Sequence, residues 1–197
     1  MKKWPSAERR TSFLLLVLFL LCLPIVYPLL KASANTAFLG DSLTERWIYP
    51  RNNLGIYGNT TAQMLARFPA EIQGHRYKSV VILGGTNDVL LHIDPAVTIQ
   101  NLQEIGTYTE HAGAQPVLCE IPPIFHNYDP GDKTDYSNQV RTLNQQIIHL
   151  AAAHKWKLVD YYDPFLGHPG YSSDGVHMKR RGYIIMEWTY LMQAPSS

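Results

Sequence analysis

The chain contains very little cysteine, with two residues among 197. Cys22 lies in an apolar N-terminal run and Cys119 in a predicted strand, so a chain processed after that run keeps one cysteine and forms no internal disulfide. We expect Cys119 to behave as a small buried apolar residue. The spacing of His, Cys, Asp and Glu matches no metal site, and the sequence predicts neither a metal nor another cofactor.

Charged residues are also few, at 17% of the chain against 46% apolar residues, which is the composition of an ordinary globular protein. Residues 1–34 hold five of the 17 Lys and Arg residues and one of the 16 Asp and Glu residues, which leaves residues 35–197 with a net charge of −3. A mildly acidic region without a basic stripe argues against nucleic acid as a partner. No internal repeat or low-complexity tract is present, so residues 35–197 are predicted to form one domain.

One long apolar run is present, Phe13–Leu30, and it follows a basic N-terminus. Its 18 residues are short for a membrane span, and two prolines interrupt it. Ala32-Ser33-Ala34 then fits a signal-peptidase site. We expect residues 1–34 to be a cleaved signal peptide or an uncleaved membrane anchor; a buried core helix is the third alternative. Either of the first two places the domain outside the inner membrane, in the periplasm or secreted, with membrane contact only through this segment.

Strand and helix patterns alternate along the rest of the chain. The predicted strands are Thr36–Leu39, Asn53–Gly58, Ser79–Leu83, Pro116–Ile121 and Leu158–Asp160. The predicted helices are Thr60–Ile72 (with an end or kink at Pro69), a helix from Asp94-Pro95 to Gly113, Tyr136–His154, and a final helix with Ile184, Ile185, Trp188 and Leu191 facing inward. This alternation predicts a parallel sheet covered by helices on both faces.

Polar residues follow these strands at the edge where open α/β sheets place their ligand sites. Ser42 follows the first strand, Gly58 the second and Asn87 the third. Asp174 and His177 follow the fifth, and their spacing lets the carboxylate reach the imidazole Nδ1 and leaves Nε2 to face the serine. A serine nucleophile needs such a base, a group that orients the base, and donors for the oxyanion, which a backbone N–H of Gly58 and the amide of Asn87 can supply.

Each of these residues also has a structural interpretation. Ser42 fits a turn or a helix N-cap, Gly58 a plain turn, and His177 a surface or packing histidine. Asn87 with Asp88 fits an Asx turn that caps the segment after it, a role we assign to Asp88. Asp41 is interpreted as a local hydrogen-bonding residue rather than a base, and of the remaining histidines only His126 lies in a loop expected to line the pocket.

Four segments together resemble the four sequence blocks of the SGNH/GDSL hydrolase family. The segments are Phe38–Leu43, Gly55–Thr61, Gly85–Asp88 and Asp174–His177. A single block is weak evidence, but four blocks in this order on the expected elements are specific. The resemblance runs from Ala37 to Leu191. The Gly-x-Ser-x-Gly elbow of α/β-hydrolases is absent, because Thr44 occupies its last position.

The resemblance implies a flavodoxin-like α/β/α sandwich of three layers, with a five-stranded parallel sheet in the order 2-1-3-4-5. It implies that Ser42 is the nucleophile, His177 the base and Asp174 its partner. The implied oxyanion hole consists of the Ser42 and Gly58 N–H groups and the Asn87 amide.

The function expected from this resemblance is hydrolysis of carboxylic esters by an exported serine esterase. The substrate would be a small acyl ester of short or medium chain, a lysophospholipid, or an acetylated glycan. An O-acyltransferase acting on a cell-envelope glycan and a non-catalytic binding module are the alternatives. Apolar side chains in three loops predict an acyl slot: Trp47, Ile48, Tyr49, Leu90, Leu91, Ile124, Phe125 and Tyr128.

Overall fold

A computed structural model describes residues 35–47, 52–127 and 131–194. Five strands in these ranges form one sheet, in which every neighbouring pair is parallel and the order is β2-β1-β3-β4-β5. The strands are β1 (Thr36–Gly40), β2 (Asn52–Gly55), β3 (Ser79–Leu83), β4 (Gln115–Cys119) and β5 (Lys157–Val159). The strand order and direction expected for a flavodoxin-like sheet are therefore confirmed. Each predicted strand is present with its ends shifted by at most three residues.

Six α-helices connect or follow these strands in the described ranges. They are α1 (Ser42–Glu45), α2 (Thr61–Ile72), α3 (Thr86–Leu90), α4 (Pro95–His111), α5 (Ser137–His154) and α6 (Arg180–Gln193). Two short 3₁₀ turns, Asp163–Phe165 and Pro169–Tyr171, lie before α6. None of these helices combines the length and the apolar character that crossing a membrane requires. The predicted export segment, residues 1–34, lies outside the described ranges.

The two outer layers follow from the direction of the crossovers. The connections from β2 to β3, β3 to β4 and β4 to β5 all run the same way across the sheet, and right-handed crossovers place their helices on one face. Helix α4 accordingly packs against both α2 and α5. The connection from β1 to β2 runs the opposite way, and on that face Phe38 of β1 contacts Trp47 after α1 and Tyr190 of α6. The predicted three-layer sandwich is confirmed.

The central strands are buried on both faces, as a parallel sheet between helices requires. All residues of β1 and β3 are buried. Cys119 at the end of β4 is buried as well, and burial raises the pKa of its thiol well above the ordinary value. The prediction of a small buried apolar cysteine is confirmed.

Helix α2 begins with a capping box, in which the Thr60 side chain accepts from the Gln63 N–H and the Gln63 side chain accepts from the Thr60 N–H. The helix does not end at Pro69 but continues to Ile72. Because Pro69 lies within the last turn, the missing N–H and the ring clash affect only the end of the helix.

The inward face predicted for α6 is right for Ile185 and Leu191, which are partly buried against the core, and wrong for Ile184 and Trp188. Ile184 is 38% exposed and Trp188 is 63% exposed, whereas Tyr183, Met186 and Tyr190 are buried. The helix carries large apolar side chains on nearly all sides, so periodicity alone leaves its rotation undetermined. The T-shaped contact of Tyr190 with Phe38 on β1 is part of the packing that sets the rotation.

Candidate active site

Ser42 lies where β1 turns into α1. A Cβ atom at Gly40 would overlap the Thr44 side chain and lie 2.6 Å from the Leu83 carbonyl oxygen, so only glycine fits this close approach. Asp41 caps the helix, with Oδ1 accepting from the Leu43 N–H at 2.9 Å, as the local hydrogen-bonding role predicts. Ser42 is then the first helical residue, and its N–H belongs to the turn that a helix leaves without intrahelical acceptors.

The structure brings Ser42, His177 and Asp174 into one hydrogen-bonded chain. The Ser42 Oγ lies 2.8 Å from His177 Nε2, and His177 Nδ1 lies 2.7 Å from Asp174 Oδ2. Ser42 and His177 are both buried, at 5% and 4% exposed. This is the order of contacts that lets an imidazole take the serine proton while a carboxylate holds the ring.

Asp174 is held by its own loop as well as by the imidazole. Its Oδ1 accepts from the backbone N–H groups of Val176 and His177, at 3.1 and 2.7 Å. Burial by itself raises the pKa of this carboxyl group, but the hydrogen bonds from His177 and Val176 together hold the pKa below its ordinary value. The carboxylate is thus kept charged beside the ring that it orients.

The segment that carries Asp174 and His177 is tied at both ends and in the middle. Ser172 pairs with Met178 in an antiparallel bridge, and the Ser172 hydroxyl donates to the His177 carbonyl at 3.0 Å. The Phe125 N–H donates to the Gly175 carbonyl at 2.9 Å. The loop that holds His126 therefore packs directly on this segment, and the His126 side chain is exposed.

Gly58 and Asn87 lie at the ends of their strands as the sequence indicates. Gly58 follows β2 in a turn with φ of +74°, a conformation that favours glycine, and it is exposed. Asn87 is the second residue of α3, and its Nδ2 donates to the Asn59 carbonyl at 2.9 Å. The other contact of this amide is long, 3.5 Å to Asp41 Oδ2. One amide N–H therefore fixes the side chain, and the second makes only this weak contact.

Asp88 has the structural role that the sequence suggests, but it does not cap the segment that follows it. Its carboxylate accepts from both the backbone N–H and the hydroxyl of Thr61 at the start of α2, at 3.0 and 2.5 Å. It also accepts from the Thr98 hydroxyl in α4 at 3.1 Å. Asp88 thus joins the starts of α2 and α3 to α4. A single sequence gives no sign of this partner, because Thr61 precedes Asp88 by 27 residues.

Two residues that sequence reasoning missed lie over the histidine. The Tyr57 ring stacks on His177, with centroids 6.0 Å apart and planes 15° apart. The Arg46 guanidinium lies 5.6 Å from the Tyr57 centroid and 4.0 Å from Asp174 Oδ2. Both side chains are well exposed, and no periodic pattern points to them; Tyr57 lies within the block Gly55–Thr61, where the resemblance assigns a role only to Gly58.

The loop side chains predicted to form an acyl slot are divided in the structure. Trp47 is 1% exposed and packs edge-on against Phe38 and Tyr161, so it belongs to the core rather than to an open slot. Leu90 and Ile124 are also buried, whereas Leu91 is exposed. Ile48, Tyr49 and Tyr128 lie outside the described residues. In the part of the chain that the structure describes, no three His, Cys, Asp or Glu side chains are grouped to hold a metal ion.

A parallel 2-1-3-4-5 sheet with a serine, a histidine and an aspartate joined at its carboxyl edge defines the class of SGNH-type α/β/α hydrolases. A family model described as the GDSL-like lipase/acylhydrolase family matches residues 31–185, and the chain belongs to this family. It is a carboxylic ester hydrolase.

Individual relatives agree with this assignment. The chain is 29% identical to an arylesterase of Vibrio mimicus over 163 residues, covering 68% of this chain and 82% of the relative. It is 28% identical to esterase TesA of Pseudomonas aeruginosa over 182 residues, covering 79% and 86%. The crystal structure of a GDSL-like lipase from Bacteroides thetaiotaomicron superposes with a TM-score of 0.75 at 28% identity, covering 82% and 88%.

Proposed function

We propose that this protein is a serine esterase in which Ser42 is the nucleophile, His177 the general base and Asp174 the residue that orients the base. The single observation that carries the proposal is the 2.8 Å contact between the Ser42 Oγ and His177 Nε2, continued at 2.7 Å to Asp174. Nucleophile, base and orienting group stand within hydrogen-bond reach, which is the arrangement that activates a serine.

In the proposed reaction, the Ser42 Oγ attacks the carbonyl carbon of the ester while His177 Nε2 takes the hydroxyl proton. Asp174 stabilises the imidazolium that forms. The oxyanion is bound by the N–H groups of Ser42 and Gly58 and by the second N–H of Asn87, which makes only the long contact with Asp41. His177 then donates its proton to the leaving alcohol, and a water molecule hydrolyses the acyl-enzyme by the same steps in reverse order.

The proposed substrates are carboxylic esters of short or medium acyl chain, with lysophospholipids and O-acetylated sugars as the alternatives. Two relatives are named as esterases, which supports the simple ester most directly. A panel of p-nitrophenyl esters from acetate to palmitate, with a lysophospholipid and an acetylated sugar, ranks these classes. Product analysis with added sugar acceptors separates hydrolysis from acyl transfer.

The proposed place of action is outside the cytoplasm, because residues 1–34 have the composition of an export signal or an anchor. The domain would then consist of residues 35–197, and residues 1–34 would be its only membrane contact.

Replacing Ser42 with alanine tests the mechanism. Ser42→Ala is expected to lower kcat by about 10³-fold or more, because the nucleophile is lost, while the fold is retained. A fluorophosphonate is expected to label the parent enzyme and not the variant. Near-normal turnover by a folded Ser42→Ala enzyme would refute the proposal.

A further inference from the structure

Arg67 of α2 reaches across to the carboxyl ends of β1 and β2, beside the candidate active site. Its side chain is only 17% exposed although it lies on a surface helix. We propose that Arg67 is a positioning residue that holds the oxyanion hole in place, acting partly through Asn59. This inference rests on the proposed serine mechanism.

The Arg67 guanidinium uses each of its nitrogens. Nε donates to Asn59 Oδ1 at 2.8 Å, and Nη2 donates to the carbonyls of Gly40 and Leu54, both at 2.9 Å. Nη1 donates to the Glu71 carboxylate at 2.7 and 2.6 Å. Five acceptor atoms match the five N–H donors of a guanidinium. A surface ion pair with Glu71 would need only one of these nitrogens.

The neutral acceptors of Arg67 adjoin the segments of the proposed oxyanion hole. Gly40 lies two residues before Ser42, on the turn that presents its N–H. Leu54 is the next-to-last residue of β2, which ends just before the turn that carries Gly58. Asn59 follows Gly58 directly. The Ile56 N–H also donates to the Gly40 carbonyl at 3.1 Å, so the two strand ends are already joined. Arg67 fixes this junction from the helix side.

Asn59 connects Arg67 to the third donor. Its side-chain oxygen accepts from Arg67, and its backbone carbonyl accepts from Asn87 Nδ2 at 2.9 Å. That second bond fixes the rotation of the Asn87 amide and leaves the other N–H for the oxyanion. Donors that are held before the charge forms stabilise it most, because they need not reorganise during the reaction. A lysine cannot replace the arginine, since one ammonium cannot reach these separated acceptors together.

The plainer interpretation is that Arg67 only fastens α2 to the sheet. That role predicts a lower melting temperature with unchanged turnover per folded molecule. Positioning predicts a fall in kcat at constant KM, because the oxyanion contacts form fully only in the transition state.

The first experiment compares Arg67→Met and Arg67→Lys with Arg141→Met, which removes an exposed arginine of α5 that contacts Asn138. Turnover is assayed at a temperature well below the melting point of each variant. It is expressed per folded molecule, with the folded fraction measured by circular dichroism. Both Arg67 variants are expected to lose about 10- to 100-fold in kcat with little change in KM, whereas Arg141→Met keeps parental kinetics. Parental kcat in a folded Arg67→Met enzyme would overturn the inference.

The second experiment isolates the path through Asn59. Asn59→Asp keeps an oxygen for Arg67 Nε and is expected to retain most of the turnover, whereas Asn59→Ala is expected to lose about 10-fold. In an Asn87→Ala background, Asn59→Ala should add little further loss, because the group that it orients is gone. If the losses in kcat from Asn59→Ala and Asn87→Ala were fully additive, the proposed path from Arg67 through Asn59 to Asn87 would be refuted. Each result is read beside Ser42→Ala: if that variant is inactive, failure of the Arg67 inference leaves the serine mechanism intact.

Discussion

The buried carboxyl group of Asp41 is expected to make the stability of this protein depend on pH, and Asp41→Asn isolates its effect. The side chain is fully buried next to Ser42. Burial, supported by the nearby Asp88 charge, raises the pKa of Asp41 to about 7, although the hydrogen bond from the Leu43 N–H opposes this shift. Asparagine keeps an oxygen for the Leu43 N–H and removes the ionisation.

The sign follows from proton linkage. In the unfolded chain the Asp41 carboxyl titrates near 3.8, and in the folded chain near 7. Between these values the folded protein holds a proton that the unfolded chain has lost, so each pH unit lowers the free energy of unfolding by about 1.4 kcal/mol. The contribution is fully present below about pH 4 and is lost as the pH rises to about 7, a total on the order of 4 kcal/mol.

Urea unfolding of the parent, Asp41→Asn and Asp94→Asn at pH 5, 6, 7 and 8 measures this effect. Asp94 is the matched control, because it caps α4 through the Ala96 N–H at 2.9 Å but is exposed. Between pH 5 and pH 8, the free energy of unfolding of Asp41→Asn is expected to rise by about 3 kcal/mol relative to that of the parent. The free energy of unfolding of Asp94→Asn is expected to change little relative to the parent. Glu120, whose pKa burial also raises to about 7, contributes equally to the parent and to the variants and cancels. A difference between Asp41→Asn and the parent that stays constant over this range would refute the reasoning.

Four further outcomes are expected. Asn87→Ala should lower kcat by about 10²- to 10³-fold with little change in KM. Asn87→Asp should be at least as damaging, because a carboxylate repels the oxyanion. Normal turnover by Asn87→Asp would exclude the oxyanion role of Asn87. Asp174→Asn should cost less activity than His177→Ala. Because a general base must be unprotonated to accept a proton, kcat/KM should fall at acidic pH, while Asp174, whose pKa lies below its ordinary value, stays charged; a flat profile would contradict the proposed mechanism. Mass spectrometry of exported protein should find a mature chain that begins near Asn35, whereas a full-length membrane-bound species would favour the anchor.

The sheet was predictable from the sequence because its signals are local. Ser79–Leu83 is a β-branched apolar run and matches β3 at both ends. The first three blocks also fall at strand ends, so the topology brings them to one edge without knowledge of distant contacts, whereas Asp174–His177 lies well after β5 and just before α6. The meeting of Ser42 with His177, 135 residues apart, depends in addition on the segment before α6, because β3 and β4 separate β1 from β5 in the sheet.

The parts that sequence reasoning missed depend on distant packing. The rotation of α6 follows from where Tyr190 packs on β1, and the Asp88 contacts follow from where α2 begins. Arg67 offers one local signal, its i, i+4 spacing from Glu71, which indicates an ordinary helix-surface ion pair. Arg67 also bonds to Asn59, Gly40 and Leu54, and Asn59 bonds to Asn87. These four bonds join segments that are distant in sequence, so no local sequence pattern predicts them.

Structural contacts explain why the sequence blocks contain residues that do no chemistry. Gly40 is needed because a Cβ atom would strike the Leu83 carbonyl, and Asp88 is needed because it joins the starts of two helices to a third. Asp41 caps the helix that Ser42 begins, at the cost of a buried carboxyl group. The Ser42 hydroxyl itself bonds to the buried His177, the group proposed to take its proton.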